Sequence, residues 1–182
     1  MGLVAGLGSG RMAERDDLAR SAAPNIDAAH FRTVLGHFAS GIAIVTGVDD
    51  GEPVGLTCQS FFSVSLEPPL VAFAPSKTSK SWPRIQTAKS FCVNILSEAQ
   101  EDLCRVFAQT GADKFKGVGW RAGLTGSPVL ADSLAWIDCQ IEVEHDAGDH
   151  LIVVGRVVEM DHAPSGAKPL VFYRGGYGSF DP

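Results

Sequence analysis

The chain has 182 residues, 45% hydrophobic and 20% charged, which suits one domain with a proper core and an ordinary globular composition. A formal net charge of −6 without a long basic run gives nucleic acid no footprint, and the mildly acidic surface favours solubility. No apolar stretch approaches the roughly 20 residues of a membrane span, so neither nucleic acid nor membrane is an expected partner.

Residues 1–24 are rich in Gly, Ala and charge without periodicity and read as a flexible tail, with 25–182 as the domain. Their start has Gly-broken apolar residues with no cationic lead, a poor signal peptide. Asn25 to Asp27 can cap a helix, in which Phe31, Val34, Leu35 and Phe38 recur at helical spacing before Gly41. Segments 42–48 and 53–58, separated by Asp49-Asp50-Gly51, predict a β-hairpin. Segments 70–75 and 91–96 are short strands. Between them Ser79 or Ser81 can cap a brief helix carrying Trp82 and Ile85. Ser97 and Gln100 form a capping box for a helix through about Gln109, with Leu103, Val106 and Phe107 inward. In 134–145, Ala135, Ile137, Cys139, Ile141 and Val143 alternate with mostly polar residues, and a turn over 146–150 leads into a strand over 151–160. A final strand spans 170–175. Strands outnumber helices, which predicts an antiparallel barrel with a few peripheral helices.

Several chemistries are missing. The five histidines are scattered and the four cysteines form no CxxC pair, so no metal site is expected. Cys58, Cys92, Cys104 and Cys139 read as reduced, buried thiols of a cytoplasmic protein. There is no GxSxG elbow and no P-loop. The early GLGSG lacks the preceding strand and following βαβ unit of a dinucleotide fingerprint.

Four stretches do carry chemistry. Thr57, Gln59 and Ser60 offer hydrogen-bonding groups for a planar heteroaromatic ring, or else hydroxyls that cap a turn in a barrel strand. Residues 74–82, APSKTSKSW, supply a plausible phosphate cradle or an ordinary capped loop; Lys89 could add a second positive charge. His150, after Gly148 and Asp149, can bond a substrate amide, although a turn histidine is usually a solvated turn residue. Tyr173, Arg174 and Tyr177, beside three glycines, suit a second stacked ring or a pyrophosphate; the alternative is an edge strand ending in a tail.

Seven motifs in order, FRTVLGHFASGIAIVT (31–46), GLTCQSFFSVSLEPPLV (55–71), KTSKSW (77–82), FCVNIL (91–96), KF (114–115), GDH (148–150) and FYRGGY (172–177), resemble the short-chain flavin reductase family. Its members supply reduced flavin to two-component monooxygenases. The resemblance spans roughly 26–177 and implies a mainly β, Greek-key antiparallel split β-barrel that dimerises with the flavin near the subunit interface.

The resemblance also implies roles. Thr57, Ser60 and Phe61, with Cys58 and Gln59 between them, would hold the flavin ring. Lys77 and Ser79, with Lys89 downstream, would hold its phosphate. Gly148, Asp149 and His150 would lie on the nicotinamide side, His150 as the catalytic position that orients the nicotinamide, with Tyr173 and Arg174 closing the pocket. Cys58-Gln59 stands where many members have Ala-Asn, which leaves FMN against FAD open; FMN is the expectation and FAD the alternative. NADH, with NADPH as alternative, is the expected reductant. An oxygenase reached by diffusible reduced flavin is the expected partner, most similar to those acting on phenolic steroid breakdown products. The competing functions are a pyridoxine-phosphate-oxidase-like flavoenzyme and a non-catalytic flavin-binding protein.

Overall fold

The computed structural model describes residues 26–111, 113–164 and 166–181, so the tail expected over 1–24 lies outside the described residues. The chain divides into a unit ending at Leu35 and a second running from Gly36 to Pro182. In the first, helix α1 (Ala28–Leu35) begins where Asp27 Oδ2 accepts the His30 amide at 2.9 Å, as a capping carboxylate does. It stops before Phe38, which the periodicity includes.

In the second unit, β1 (Ser40–Gly41) precedes β2 (Ala43–Asp49) and β3 (Glu52–Cys58). Asp50 and Gly51 both take positive φ, 48° and 84°, the two-residue turn whose twist suits a tight hairpin. There follow β4 (Phe62–Leu66), β5 (Pro69–Phe73), helix α2 (Trp82–Thr87) and β6 (Ser90–Ile95). Ser97 and Gln100 close the expected capping box over a 3₁₀ turn, Glu98–Gln100, which runs into helix α3 (Glu101–Ala108). Short strands β7 (Trp120–Ala122) and β8 (Pro128–Leu130) precede the long hairpin β9 (Ala135–Ala147) and β10 (His150–His162). The chain closes with β11 (Leu170–Tyr173) and β12 (Gly176–Ser179).

Seven strands form one antiparallel sheet in the order β3-β2-β6-β9-β10-β5-β4. Its two edges, β3 and β4, are consecutive in the chain, with Cys58 ending one strand and Phe62 beginning the other. Four residues of chain reach at most about 14 Å, whereas the edges of a flat seven-stranded sheet lie about 29 Å apart. The sheet must therefore curl until its edges come within that reach, giving a barrel left split between β3 and β4. In the chain β5 is followed by β6, which lies on the far side of the β9–β10 hairpin, a Greek-key crossing. The mainly β split-barrel fold is as the sequence predicts.

Two cores result. Ala43 and Val45 of β2 face the barrel interior with Phe73, Trp82, Phe91 and Val153. Ile42 and Ile44 face outward onto Leu96, Cys104, Phe107 and Leu170. The strand period of two assigns one β2 face to each core. Asn94, fully buried between them, donates to the Ile44 and Pro128 carbonyls and accepts the Leu130 amide at 2.8 Å, docking β8 on the sheet. On β9, fully buried Asp138 accepts the Thr125 amide (2.7 Å) and hydroxyl (2.6 Å).

Three departures stand out. Phe62, though large and apolar, is 52% exposed on edge strand β4, because Phe61 takes the inward position against the barrel core. His150 is the first residue of β10 and not a turn residue; the turn is Gly148-Asp149, with Ala147 paired to His150. Residues 176–179 form β12, paired to β11, where the sequence also read as a tail. All four cysteines are buried and free.

Candidate functional site

A cleft of about 610 Å³ opens at the split, within the usual size of a small-molecule site. Its floor is the C-terminal half of β3. Gly55 brings β3 close to α3: a Cβ there would sit 2.5 Å from Phe107 Cε1. That approach lets Thr57 Oγ1 donate to the Cys104 carbonyl of α3 at 2.7 Å. With its proton committed there, the Thr57 hydroxyl can only accept from whatever enters the cleft. Beyond it, Cys58 Sγ lies 3.2 Å from Ser60 Oγ, and Ser60 exchanges hydrogen bonds with Ala74, receiving its amide at 2.8 Å. Burial pushes the Cys58 thiol above its ordinary value, so at neutral pH it stays a protonated, weak donor. Gln59 and Ser60 also line the cleft.

The facing wall is the loop after β5, which is tied to the β9–β10 turn. The Leu151 amide donates to the Pro75 carbonyl at 3.0 Å and the Lys77 amide to the Asp149 carbonyl at 2.9 Å. These bonds bring His150 to the cleft. Its Nδ1 lies 2.8 Å from Asp149 Oδ1, which leaves Nε2 as the ring nitrogen that Asp149 does not engage. The same contact holds the Asp149 carboxyl below the usual carboxylate range. Ser79 lines the cleft while its Oγ accepts the Trp82 amide at 3.2 Å, satisfying the first amide of α2 from two residues before the N-cap position, Ser81, which makes no side-chain cap bond of its own.

Cations gather at one end. Lys114 Nζ donates to the carbonyls of Phe107 (2.8 Å) and Gly55 (3.0 Å), and burial pulls its ammonium below the ordinary lysine value. Lys80 also lines the cleft and has no hydrogen-bond or ion-pair partner among the described residues. Lys77, by contrast, is held by both carboxylate oxygens of Asp146 at 2.7 and 2.8 Å.

Of the residues singled out in the sequence, Thr57, Cys58, Gln59, Ser60, Ser79 and His150 are brought together in this cleft. Phe61 lies behind it, against the barrel core. Gly148 and Asp149 form the turn beneath His150. Lys89, with φ of 55°, lines a separate cleft with Gln140 and Ile141. Tyr173 and Arg174 are not brought to it either. Phe172 pairs across from Tyr177, and both line the cleft. Strand alternation turns Tyr173 away, edge-on to His37. Sequence reasoning gave Lys114 and Phe107 no part in the site. The KF pair at 114–115 was the available signal for the lysine.

Comparison with known proteins gives this geometry a context. Residues 35–181 match the family described as the flavin reductase like domain. The reductase subunit HsaB of a flavin-dependent monooxygenase from Rhodococcus jostii is 50% identical over 161 residues, covering 88% of this chain and 82% of that protein. The crystal structure of nitrilotriacetate monooxygenase component B from Mycobacterium thermoresistibile superposes with a TM-score of 0.84 at 46% identity, covering 88% of this chain and 90% of the other. The NADH:FAD oxidoreductase SgcE6 of Streptomyces globisporus, in complex with NAD and FAD fragments, superposes at 0.80 with 35% identity, over 86% and 94% of the two chains.

Proposed function

The chain belongs to the flavin reductase like domain family, and from that premise we infer that it is an NAD(P)H:flavin oxidoreductase supplying reduced flavin to a partner monooxygenase. When both are bound, the nicotinamide gives a hydride to the flavin. What the chain adds is position and surroundings.

The observation that carries this reading is the Thr57–Cys104 bond at 2.7 Å. It fixes the Thr57 hydroxyl as an acceptor on the cleft floor, suited to the imide N–H of a flavin ring. Gln59 adds an amide that can donate or accept at the ring's polar edge. Lys80 and Lys114, with Ser79 and Ser81, stand at one end where a flavin phosphate needs positive charge and hydroxyls. Across the cleft, His150 offers Nε2 to the nicotinamide carboxamide and orients it. Phe172 and Tyr177 shield the same space from water. No nucleophile is needed.

We read the reduced flavin as passing by diffusion to a partner oxygenase, a reading supported by the identity to the reductase subunit of a flavin-dependent monooxygenase; the resemblance of the motifs suggests an oxygenase that acts on a phenolic ring derived from steroid breakdown. NADH is the expected reductant. A homodimer is supported by the apolar row Phe62, Val64 and Leu66, which lies exposed on edge strand β4. The four free thiols and the lack, among the described residues, of any helix long and apolar enough to cross a membrane support a cytoplasmic setting.

The test is direct. Purified protein is mixed with NADH and either FMN or FAD, and absorbance is followed at 340 nm. Consumption dependent on added flavin is expected, and no consumption with either flavin would sink the assignment.

A further inference from the structure

The cleft does not end at its cations. A second cleft of about 440 Å³ continues from it, and the two share Lys80, Ser81, Gly111 and Lys114 as common wall. Strand β3 floors both: Leu56 to Cys58 lie under the first cleft and Glu52 to Gly55 under the second. At about 3.3 Å per residue, this gives one elongated floor with a cationic waist.

The two halves differ in chemistry. The first carries the ring-binding hydroxyl, amide and imidazole. The second has an apolar wall, Pro53 and Phe115, and two carboxylates, Glu52 and Asp113. Its remaining cation, Arg84, is committed to Asp49 at 2.7 Å. Carboxylates beside an apolar wall repel a phosphate but accept hydrogen bonds from sugar hydroxyls and an exocyclic amine. The free positive charge stands at the waist, where Lys80 is unpartnered among the described residues and Lys114 is fixed by two carbonyls.

We propose that the second cleft receives the adenosine of FAD while Lys80 and Lys114 flank its diphosphate, so that FAD, and not FMN, is the flavin bound most tightly. This rests on the flavin reductase reading of the first cleft. FMN would fill the first cleft and reach the waist, leaving Pro53 and Phe115 uncovered.

The experiment is a titration of riboflavin, FMN and FAD, followed by flavin fluorescence, against the full chain and three variants. Pro53→Trp and Glu52→Trp obstruct the second cleft only, and Lys80→Ala removes charge at the waist. Kd for FAD about tenfold below that for FMN is expected in the parent chain, a difference of about 1.4 kcal/mol. Either tryptophan should raise Kd for FAD about tenfold more than Kd for riboflavin, bringing FAD level with FMN. Lys80→Ala should weaken FAD and FMN but not riboflavin. The proposal is overturned if FAD binds no tighter than FMN, if the tryptophans weaken all three flavins equally, or if neither changes FAD. Binding of no flavin at all by the parent chain would instead overturn the reductase reading beneath it.

Discussion

Ser60 and Ala74 hold each other across the split of the barrel. The Ala74 amide donates to Ser60 Oγ at 2.8 Å, and the Ser60 hydroxyl lies 3.2 Å from the Ala74 carbonyl. One residue follows edge strand β3 and the other follows β5, so the pair pins the loop that carries Gln59 to the opposite wall. Ser60→Ala should cost about 1–2 kcal/mol in unfolding free energy, since the amide loses its partner. Flavin affinity should fall with it, as the loop loosens. Urea melts and flavin titration of the same preparation check both.

Thr57 has a different job from Ser60. Thr57→Val keeps the shape but removes the donor to Cys104 and the acceptor toward the cleft. About 1 kcal/mol of stability should be lost, together with a roughly tenfold rise in KM for flavin, as expected for one hydrogen bond of about 1.4 kcal/mol. Thr57→Ser should restore most of both. Steady-state kinetics at varied flavin would show it.

Gly55→Ala tests the approach of α3 to β3. The added Cβ would lie 2.5 Å from Phe107 Cε1, so the helix must shift or the ring must turn. Overpacking of this kind costs about 1–3 kcal/mol, measurable as a lowered urea midpoint. The shift should also lengthen the Thr57–Cys104 bond, so KM for flavin should rise even in the folded fraction.

Asp138 gives the pH dependence a sign. Burial raises its carboxyl above the ordinary value of about 3.9. The native state then holds a proton that the unfolded chain has released, so stability from this group falls as pH rises from about 4 through the raised value. Two Thr125 bonds limit the loss. Asp138→Asn should flatten that slope, which thermal melts from pH 4 to 8 would reveal.

His150→Ala should raise KM for NADH about tenfold, the loss expected for one hydrogen bond to a carboxamide. Flavin affinity should change little, because Thr57 and the waist cations stand apart from it. Unchanged KM for NADH and unchanged kcat would remove His150 from the nicotinamide side.

Much of this was legible in the sequence where the cause is local. Ser97 and Gln100 announce the start of the α3 segment because a capping box closes within one turn. Residues 57–60 and Ser79 reach the cleft as short contiguous motifs. Other features depend on distant pairing. Tyr173 and Phe172 exchange roles because their faces are set by the register with Tyr177, in a segment that reads equally as a tail. Lys114 acquires its place only when Gly55 and Phe107, far apart in the chain, present their carbonyls together. Strand β4 hides because its apolar residues point outward, reversing the usual sense of the alternation.

The cleft is built from the end of β3, the loop after β5, the end of α3, Lys114, His150 and the β11–β12 hairpin. No one or two of these segments make a binding surface, so the unfolded chain has nothing to offer a flavin. Ligand and fold are therefore thermodynamically linked: flavin at a hundred times its Kd adds about 2.7 kcal/mol to the native state. In a cell, the abundance of this reductase would rise and fall with its own flavin supply, through the fraction of chains exposed to proteases.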